Sequence, residues 1–329
     1  MSNWNFKQGS LNANGIEIHY AEKGEGPLVI FCHGWPESWY SWRHQLQAIG
    51  SSGYRAVALH MRGYGKTTKP SEIEAYSLTN LVGDVVGAVA ALGESQAVVV
   101  GHDWGGPVAW NAALLRPDIF RAVAVLSVPY NPPLTLPHNT SLNDVMTMMA
   151  AGREYYRLYF QEPGVAEADL ERNFRDSMLG ILYSLSGDIV ADGIHQQGWD
   201  GHFPKGQSLS EQLVVPEQLP VWLTQEDLDF YVQEITASGF SGGFNWYRNI
   251  KRIPGLLAPF AGARIKQPSL YLYGEYDLIA GNTPEAIQTL QESLPDLRGC
   301  LKFEGAGHWV QQERAEQVNE ALLTFLSEL

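Results

Sequence analysis

Six consecutive residues, Gly101-His102-Asp103-Trp104-Gly105-Gly106, have the make-up of a tight turn that presents one reactive side chain. They follow the apolar run Ala97–Val100 and precede a stretch with helical apolar spacing. Small residues two before and two and three after Asp103 permit a sharp strand-to-helix turn. Such a turn exposes the central side chain and leaves its backbone N–H free. Aspartate at that centre is a carboxylate nucleophile where serine is the more usual residue. Gly-rich turns of this kind also occur with no reactive role, so the reading needs partners.

Three partners follow the same logic. Phe31-Cys32-His33-Gly34-Trp35-Pro36 ends an earlier apolar run and places the Trp35 N–H beside the turn. With the Trp104 N–H it would form an oxyanion hole, each donor contributing roughly 3–4 kcal/mol to a developing negative charge. Asp277 lies in GEYDLIA after the run Ser269–Tyr273, and His308 lies in GAGHW after Cys300–Phe303. Nucleophile, acid, histidine is the chain order of α/β-hydrolases. An isolated Asp or His is more often structural; four features in four matching loops are not.

The surrounding elements must position these groups. Pro27–Cys32, Ala56–His60, Ala97–Val100 and Ala122–Val128 read as buried strands, with Leu78–Leu92 and Pro107–Leu115 as helices between them. The alternation predicts a parallel sheet with helices on both faces. Ser269–Tyr273, Pro284–Leu294, Cys300–Phe303 and Glu313–Leu326 repeat the pattern at the other end. Between them the proline-rich Val128–Pro137 opens a stretch with no convincing strand. Helices are expected there at Val165–Leu182 and Leu223–Ile235, the second started by Thr224 with Asp227 three residues on. The chain has 329 residues, more than the ~250–300 that one core usually organises, which agrees with an inserted lid. The expected division is a core of residues 1–133 and 254–329 with a helical cap at 134–253.

With these residues in place the chain resembles the soluble epoxide hydrolases of the α/β-hydrolase superfamily. HGWPESWYSW, RGYGKT, GHDWGG, YFQEPGVAE, FNWYRN and GHWVQQE carry the resemblance along nearly the whole chain. It implies an α/β fold, mostly parallel sheet flanked by helices, with an inserted helical cap. It implies Asp103 as nucleophile, His308 as general base and Asp277 as the acid that orients it. Tyr156 and Tyr247, both in the lid, match the family's pair of oxirane-oxygen donors. Tyr155 is adjacent and Tyr159 one turn away, and an aromatic helix face packed on the core would look the same, so the sequence leaves that choice open. Trp104 and Phe160 are assigned to the substrate wall. The phosphatase domain found ahead of this unit in some animal enzymes is not expected.

The chemistry gives reasons for these types. An aspartate attacking saturated carbon leaves an alkyl ester, which water can hydrolyse at the carbonyl; a serine would leave an ether. His308 would activate that water and Asp277 hold the useful tautomer. Opening an epoxide releases an alkoxide that needs a donor, and a phenol with a reference pKa of about 10 stays protonated to supply one. A haloalkane or haloacid dehalogenase with the same Asp-His-Asp set is the rival reading, and a non-catalytic binding protein a third.

Other features exclude classes. A formal charge of −14 argues against a nucleic-acid partner, and no apolar run is long enough for a membrane span. Cys32 and Cys300 suit two buried thiols in a soluble, reducing, cytoplasmic setting. His19, His44, His60, His138, His195 and His202 lack metal-ligand spacing, and no dinucleotide or phosphate loop is present, so no cofactor and no metal is expected. His102, Glu37, Ser38 and Arg62 are read as supporting the site rather than reacting. The expected partners are a small hydrophobic epoxide and water, with monomer and homodimer both open.

Overall fold

Runs of Val, Ile, Leu and Ala that lack alternation can be strands only if both faces are covered, and here both are. The computed structural model describes residues 4–133 and 142–329. Its strands, in chain order, are β1 Lys7–Ala13, β2 Ile16–Lys23, β3 Leu28–Cys32, β4 Arg55–Leu59, β5 Ala97–His102, β6 Phe120–Leu126, β7 Glu154–Tyr155, β8 His202–Phe203, β9 Ser269–Gly274 and β10 Leu297–Phe303. Eight of them form one sheet in the order β1-β2-β4-β3-β5-β6-β9-β10. From β4 to β10 the neighbours are parallel, and every residue of β3 and β5 is buried.

The antiparallel strands β1 and β2 add an edge ahead of the first strand read from sequence. Asn14 and Gly15 join them with φ of 48° and 76°, the two left-handed residues a tight hairpin requires. Helices Arg43–Gly50 and Ala315–Ser327 pack on each other, as do Leu78–Ala91 and Gly105–Leu115.

Between β6 and β9 the chain is mostly helical, with two departures from expectation. A short antiparallel pair, β7 with β8, stands where no strand was expected. The single helix expected over Val165–Leu182 is two, Val165–Leu170 and Phe174–Ser184, because Asn173 takes an extended conformation and caps the second through its side chain. Glu313–Leu326 likewise divides at Arg314, where the backbone leaves the helical region. The Thr224–Asp227 box forms in both directions and starts the helix Gln225–Ser238. Position 134, where the lid was expected to begin, and His138 lie outside the described residues. Helical turns run on past Ile253 to Phe260 before β9.

β3, β5, β6, β9 and β10 all point the same way, so the loops that follow them gather at one edge of the sheet. In doubly wound sheets that edge is where ligands bind.

Candidate active site

Asp103 follows β5 with φ of +50°, a left-handed conformation for a residue with a side chain. The turn closes because its neighbours lack Cβ atoms. A Cβ on Gly34 would lie 2.2 Å from Asp103 Oδ1, one on Gly101 would lie 2.0 Å from the Gly105 carbonyl, and one on Gly105 would lie 2.0 Å from the Cys32 carbonyl. Strain at one residue therefore rests on three glycines, and it aims the carboxylate off the end of the strand.

The Trp35 N–H donates to Asp103 Oδ1 at 2.7 Å. Among the described residues it is the backbone donor on that carboxylate; the Trp104 N–H, at the start of the helix Gly105–Leu115, makes no bond to it here. His308 Nε2 stands 3.5 Å from Asp103 Oδ2, and its Nδ1 is 2.9 Å from Asp277 Oδ1. The three residues read as a triad are thus brought together from the ends of β5, β9 and β10. Burial works against a charge on Asp103, but the His308 hydrogen bond and charge, the His102 ring and the Trp35 N–H hold its carboxyl below the usual range. Burial also works against an imidazolium at His308, yet the Asp277 and Asp103 carboxylates outweigh it and raise its proton affinity well above the ordinary value.

Ser127, at the end of β6, was not singled out in the sequence and sits inside this set. Its hydroxyl donates to Asp277 Oδ2 and lies 2.9 Å from His308 Nδ1. Its φ is +78°, and its carbonyl accepts from Tyr271 Oη at 2.6 Å and Asn282 Nδ2 at 2.9 Å. The supporting reading of His102 and Glu37 has a concrete form. His102 Nδ1 meets Glu37 Oε2 at 2.7 Å and Nε2 meets the His308 carbonyl at 2.7 Å, while the His308 N–H donates to the Leu185 carbonyl at 2.8 Å. Both backbone groups of the histidine are therefore held, one of them by the lid. Ser38 caps the turn Trp39–Trp42, and Arg62 pairs with Asp84, away from the carboxylate.

Across the cavity stand Tyr156 and Tyr247, ring centroids 5.9 Å apart. The cavity is also lined by Trp35, Phe160, Ile181, Leu185, Trp199, Leu209, Leu213 and Ile279, together with Asp103 and His308. The structure separates the three neighbouring tyrosines. Tyr155 stacks on His202, and Tyr159 donates to Asp169 at 3.1 Å, so neither lines the cavity. Tyr156 is fixed by its N–H bond to the Gly201 carbonyl at 3.0 Å, beside the β7–β8 pair. Tyr247 lies on the helix Ser241–Arg248, and its hydroxyl makes no hydrogen bond to a described residue. Burial raises the proton affinity of both phenols, and the Asp103 charge adds to it, so both remain donors.

Phe160 lines the cavity wall. The Trp104 ring, expected there, does not, because it packs edge-on behind Tyr247, 5.1 Å between centroids. About 20 Å³ is left for the centres of water-sized spheres, room for little more than one water. A larger groove of about 420 Å³ between β10 and the C-terminal helix is lined by Arg298, Leu301 and Phe303 and holds no comparable constellation. Among the described residues no group of three or more His, Cys, Asp or Glu could hold a metal ion, and no helix is long and apolar enough to cross a membrane. Cys32 is buried, whereas Cys300, expected to be buried, is only partly so because β10 is an edge strand.

The alpha/beta hydrolase fold model matches residues 27–315. Epoxide hydrolase B of Mycobacterium tuberculosis is 37% identical over 97% of this chain and 98% of its own length, and epoxide hydrolase A of the same organism is 40% identical over 97% of each. A solved epoxide hydrolase from an endophytic Streptomyces superposes with a TM-score of 0.92 at 42% identity, covering 98% of this chain and 95% of that one. The crystal structure of epoxide hydrolase A from Mycobacterium thermoresistibile gives 0.87 at 40% identity, covering 98% of both. A carboxylate elbow facing two lid phenols, on a sheet of this order and with relatives of this similarity, places the chain in the alpha/beta hydrolase fold family, among its epoxide hydrolases.

Proposed function

We propose that this epoxide hydrolase converts a small hydrophobic epoxide to its vicinal diol in two half-reactions on Asp103. In the first, an Asp103 oxygen attacks a ring carbon, the carbon–oxygen bond breaks, and the released oxygen takes a proton from Tyr156 or Tyr247. In the second, His308, oriented by Asp277, takes a proton from water as that water adds to the Asp103 carbonyl and returns it to the leaving oxygen as the ester bond breaks, so the diol leaves with the original Asp103 oxygen. The Asp103 proton left by ester hydrolysis restores the tyrosine, so epoxide plus water balances diol. Trp35 and Trp104 supply the backbone N–H groups for the carbonyl oxygen in that second step.

One observation carries this reading. Asp103 has a backbone N–H on one oxygen and an imidazole near the other, and two phenols share its cavity. A halide leaving group would have no use for the phenols. Apolar walls from Ile181, Leu185, Leu209, Leu213, Trp199 and Phe160 favour hydrophobic substituents on the oxirane. Residues 134–253 act in this reading as a cap that carries both donors over the core. Two unpaired cysteines agree with a cytoplasmic setting.

A single turnover in heavy-oxygen water should put label into Asp103 and none into the first diol. Label in that first diol, with none in Asp103, would remove the covalent route. Asp103→Ala should abolish turnover, and His308→Gln should leave the ester accumulating. Halide release from a bromoalkane, with no diol from styrene oxide, would favour dehalogenation.

A further inference from the structure

Arg157 follows Tyr156 directly and has an unusual environment for a guanidinium. Its Nε–H donates to the Tyr156 hydroxyl at 2.8 Å. Its central carbon lies 5.5 Å from the Tyr156 ring centroid and 5.9 Å from that of Tyr155. No carboxylate among the described residues forms an ion pair with it; the groups against it are the Tyr156 hydroxyl and the Tyr155 and Tyr156 rings. Arg157 is only half-buried, whereas the fully buried arginines Arg43, Arg62 and Arg248 each have a carboxylate partner. A guanidinium placed against phenols alone attracts negative charge on a phenol oxygen, and nothing in the resting structure supplies that charge.

We propose that Arg157 is a positioning residue for ring opening, which directs the Tyr156 O–H into the cavity and stabilises the phenolate formed when that proton is given up. The first effect is geometric. A phenol O–H prefers the plane of its ring and has two settings there. With the Arg157 N–H on the oxygen, the proton takes the setting turned from the guanidinium. The second effect is electrostatic. As the oxirane oxygen takes the proton, the electron pair of the O–H bond stays on Tyr156, 2.8 Å from a fixed cation. Burial pushes the Tyr156 phenol up, and Arg157 opposes that push, so the donor is a stronger acid than its surroundings alone would make it. Tyr247 has no such neighbour bonded to its hydroxyl. The two donors are therefore unequal, with Tyr156 the one that surrenders the proton and Tyr247 the one that holds the oxygen by hydrogen bonding.

The proposal rests on the two-step reading above and concerns its first half alone. Alkylation and ester hydrolysis should be timed separately, by tryptophan fluorescence in single turnovers with styrene oxide, for the wild type, Arg157→Met, Arg157→Lys, Tyr156→Phe and Tyr156→Phe/Arg157→Met. Arg157→Met should slow alkylation by about tenfold to a hundredfold, the worth of a hydrogen bond to a charged oxygen, and leave ester hydrolysis within about twofold. Arg157→Lys should recover part of the loss. In the Tyr156→Phe background the arginine substitution should cost nothing further, because the group it acts through is gone. Equal slowing of both half-reactions, an undiminished effect in the Tyr156→Phe background, or unchanged alkylation in Arg157→Met would each overturn the proposal. Failure of the wild type to form any alkyl-enzyme would instead overturn the two-step reading itself.

Discussion

The resting triad favours a proton that the second half-reaction needs to be absent. His308 lies between two carboxylates, which outweigh burial and raise its proton affinity well above the ordinary value, whereas a general base must be free. Alkylation resolves the conflict: once Asp103 is a neutral ester, one of the two charges that held the proton has gone, and the imidazole becomes a weaker base. The two steps then answer to different groups. Alkylation requires ionised Asp103, whose carboxyl sits below its usual 3.8, so it should persist well into acid. Ester hydrolysis requires neutral His308, so its rate should fall about tenfold per pH unit below the value that holds in the ester. Acidification should therefore accumulate ester, seen as a fluorescence burst followed by slow turnover; two rates falling in parallel would contradict this assignment. Asp103, Asp277 and His308 were readable because each sits in a short motif just past an apolar run, and the turn chemistry is local. Ser127 was not. A serine at a strand end is commonplace, and its place between Asp277 and His308 depends on a left-handed φ that Tyr271 and Asn282 fix from far along the chain.

At the scale of elements, the placement of Tyr156, a proposed donor, depends on structure that periodicity cannot reveal. A strand of two residues has no pattern, so β7 and β8 were invisible in the sequence, whereas β3, β5 and β6 were plain because burial on both faces demands unbroken apolar runs. Yet the β7–β8 region sets Tyr156. Gly201 has φ of +81°, its carbonyl accepts the Tyr156 N–H, and a Cβ there would come within 2.7 Å of Tyr156 Cδ1. Gly201→Ala should thus strain the backbone by about 1–2 kcal/mol and displace the ring. The expected outcome is a Tm lower by a few degrees and slower alkylation with ester hydrolysis little changed, since in the proposed mechanism Tyr156 acts in ring opening. Calorimetry and single-turnover kinetics on the same preparation check both parts. A variant that loses stability while keeping wild-type alkylation would show that Tyr156 is not held from this side. Helix starts were legible where side chains cap them, as at Thr224; the break at Asn173 was missed because apolar spacing continues across it.

For the molecule as a whole, the helix Gln225–Ser238 is joined to the core through a buried ion pair. Arg43 Nε lies 3.1 Å from Asp227 Oδ1, and the same carboxylate takes the Tyr40 hydroxyl and closes the capping box with Thr224. Arg43 also donates to Gln312 at 2.6 Å, and Gln312 accepts from Tyr231 on that helix. The pair and its hydrogen bonds fix where this helix sits on the core. Two desolvated charges contribute little net stability together, but removing one strands the other at a cost of about 3–5 kcal/mol. Asp227→Asn keeps the shape and an oxygen for the cap, so its loss at neutral pH should come chiefly from the uncompensated guanidinium. Adding Arg43→Met should then cost far less than it does alone. Burial raises the Asp227 carboxyl, but Arg43 and the Thr224 bonds outweigh it and hold the group below its ordinary 3.8. Its contribution is therefore fully present above that value and lost as pH falls through the lowered one. Urea unfolding of the wild type, both single variants and the double variant should show strong coupling at pH 7, and the gap between the wild type and Asp227→Asn should close in acid. Additive losses at pH 7, or a gap that does not change with pH, would mean that packing rather than charge joins this helix to the core.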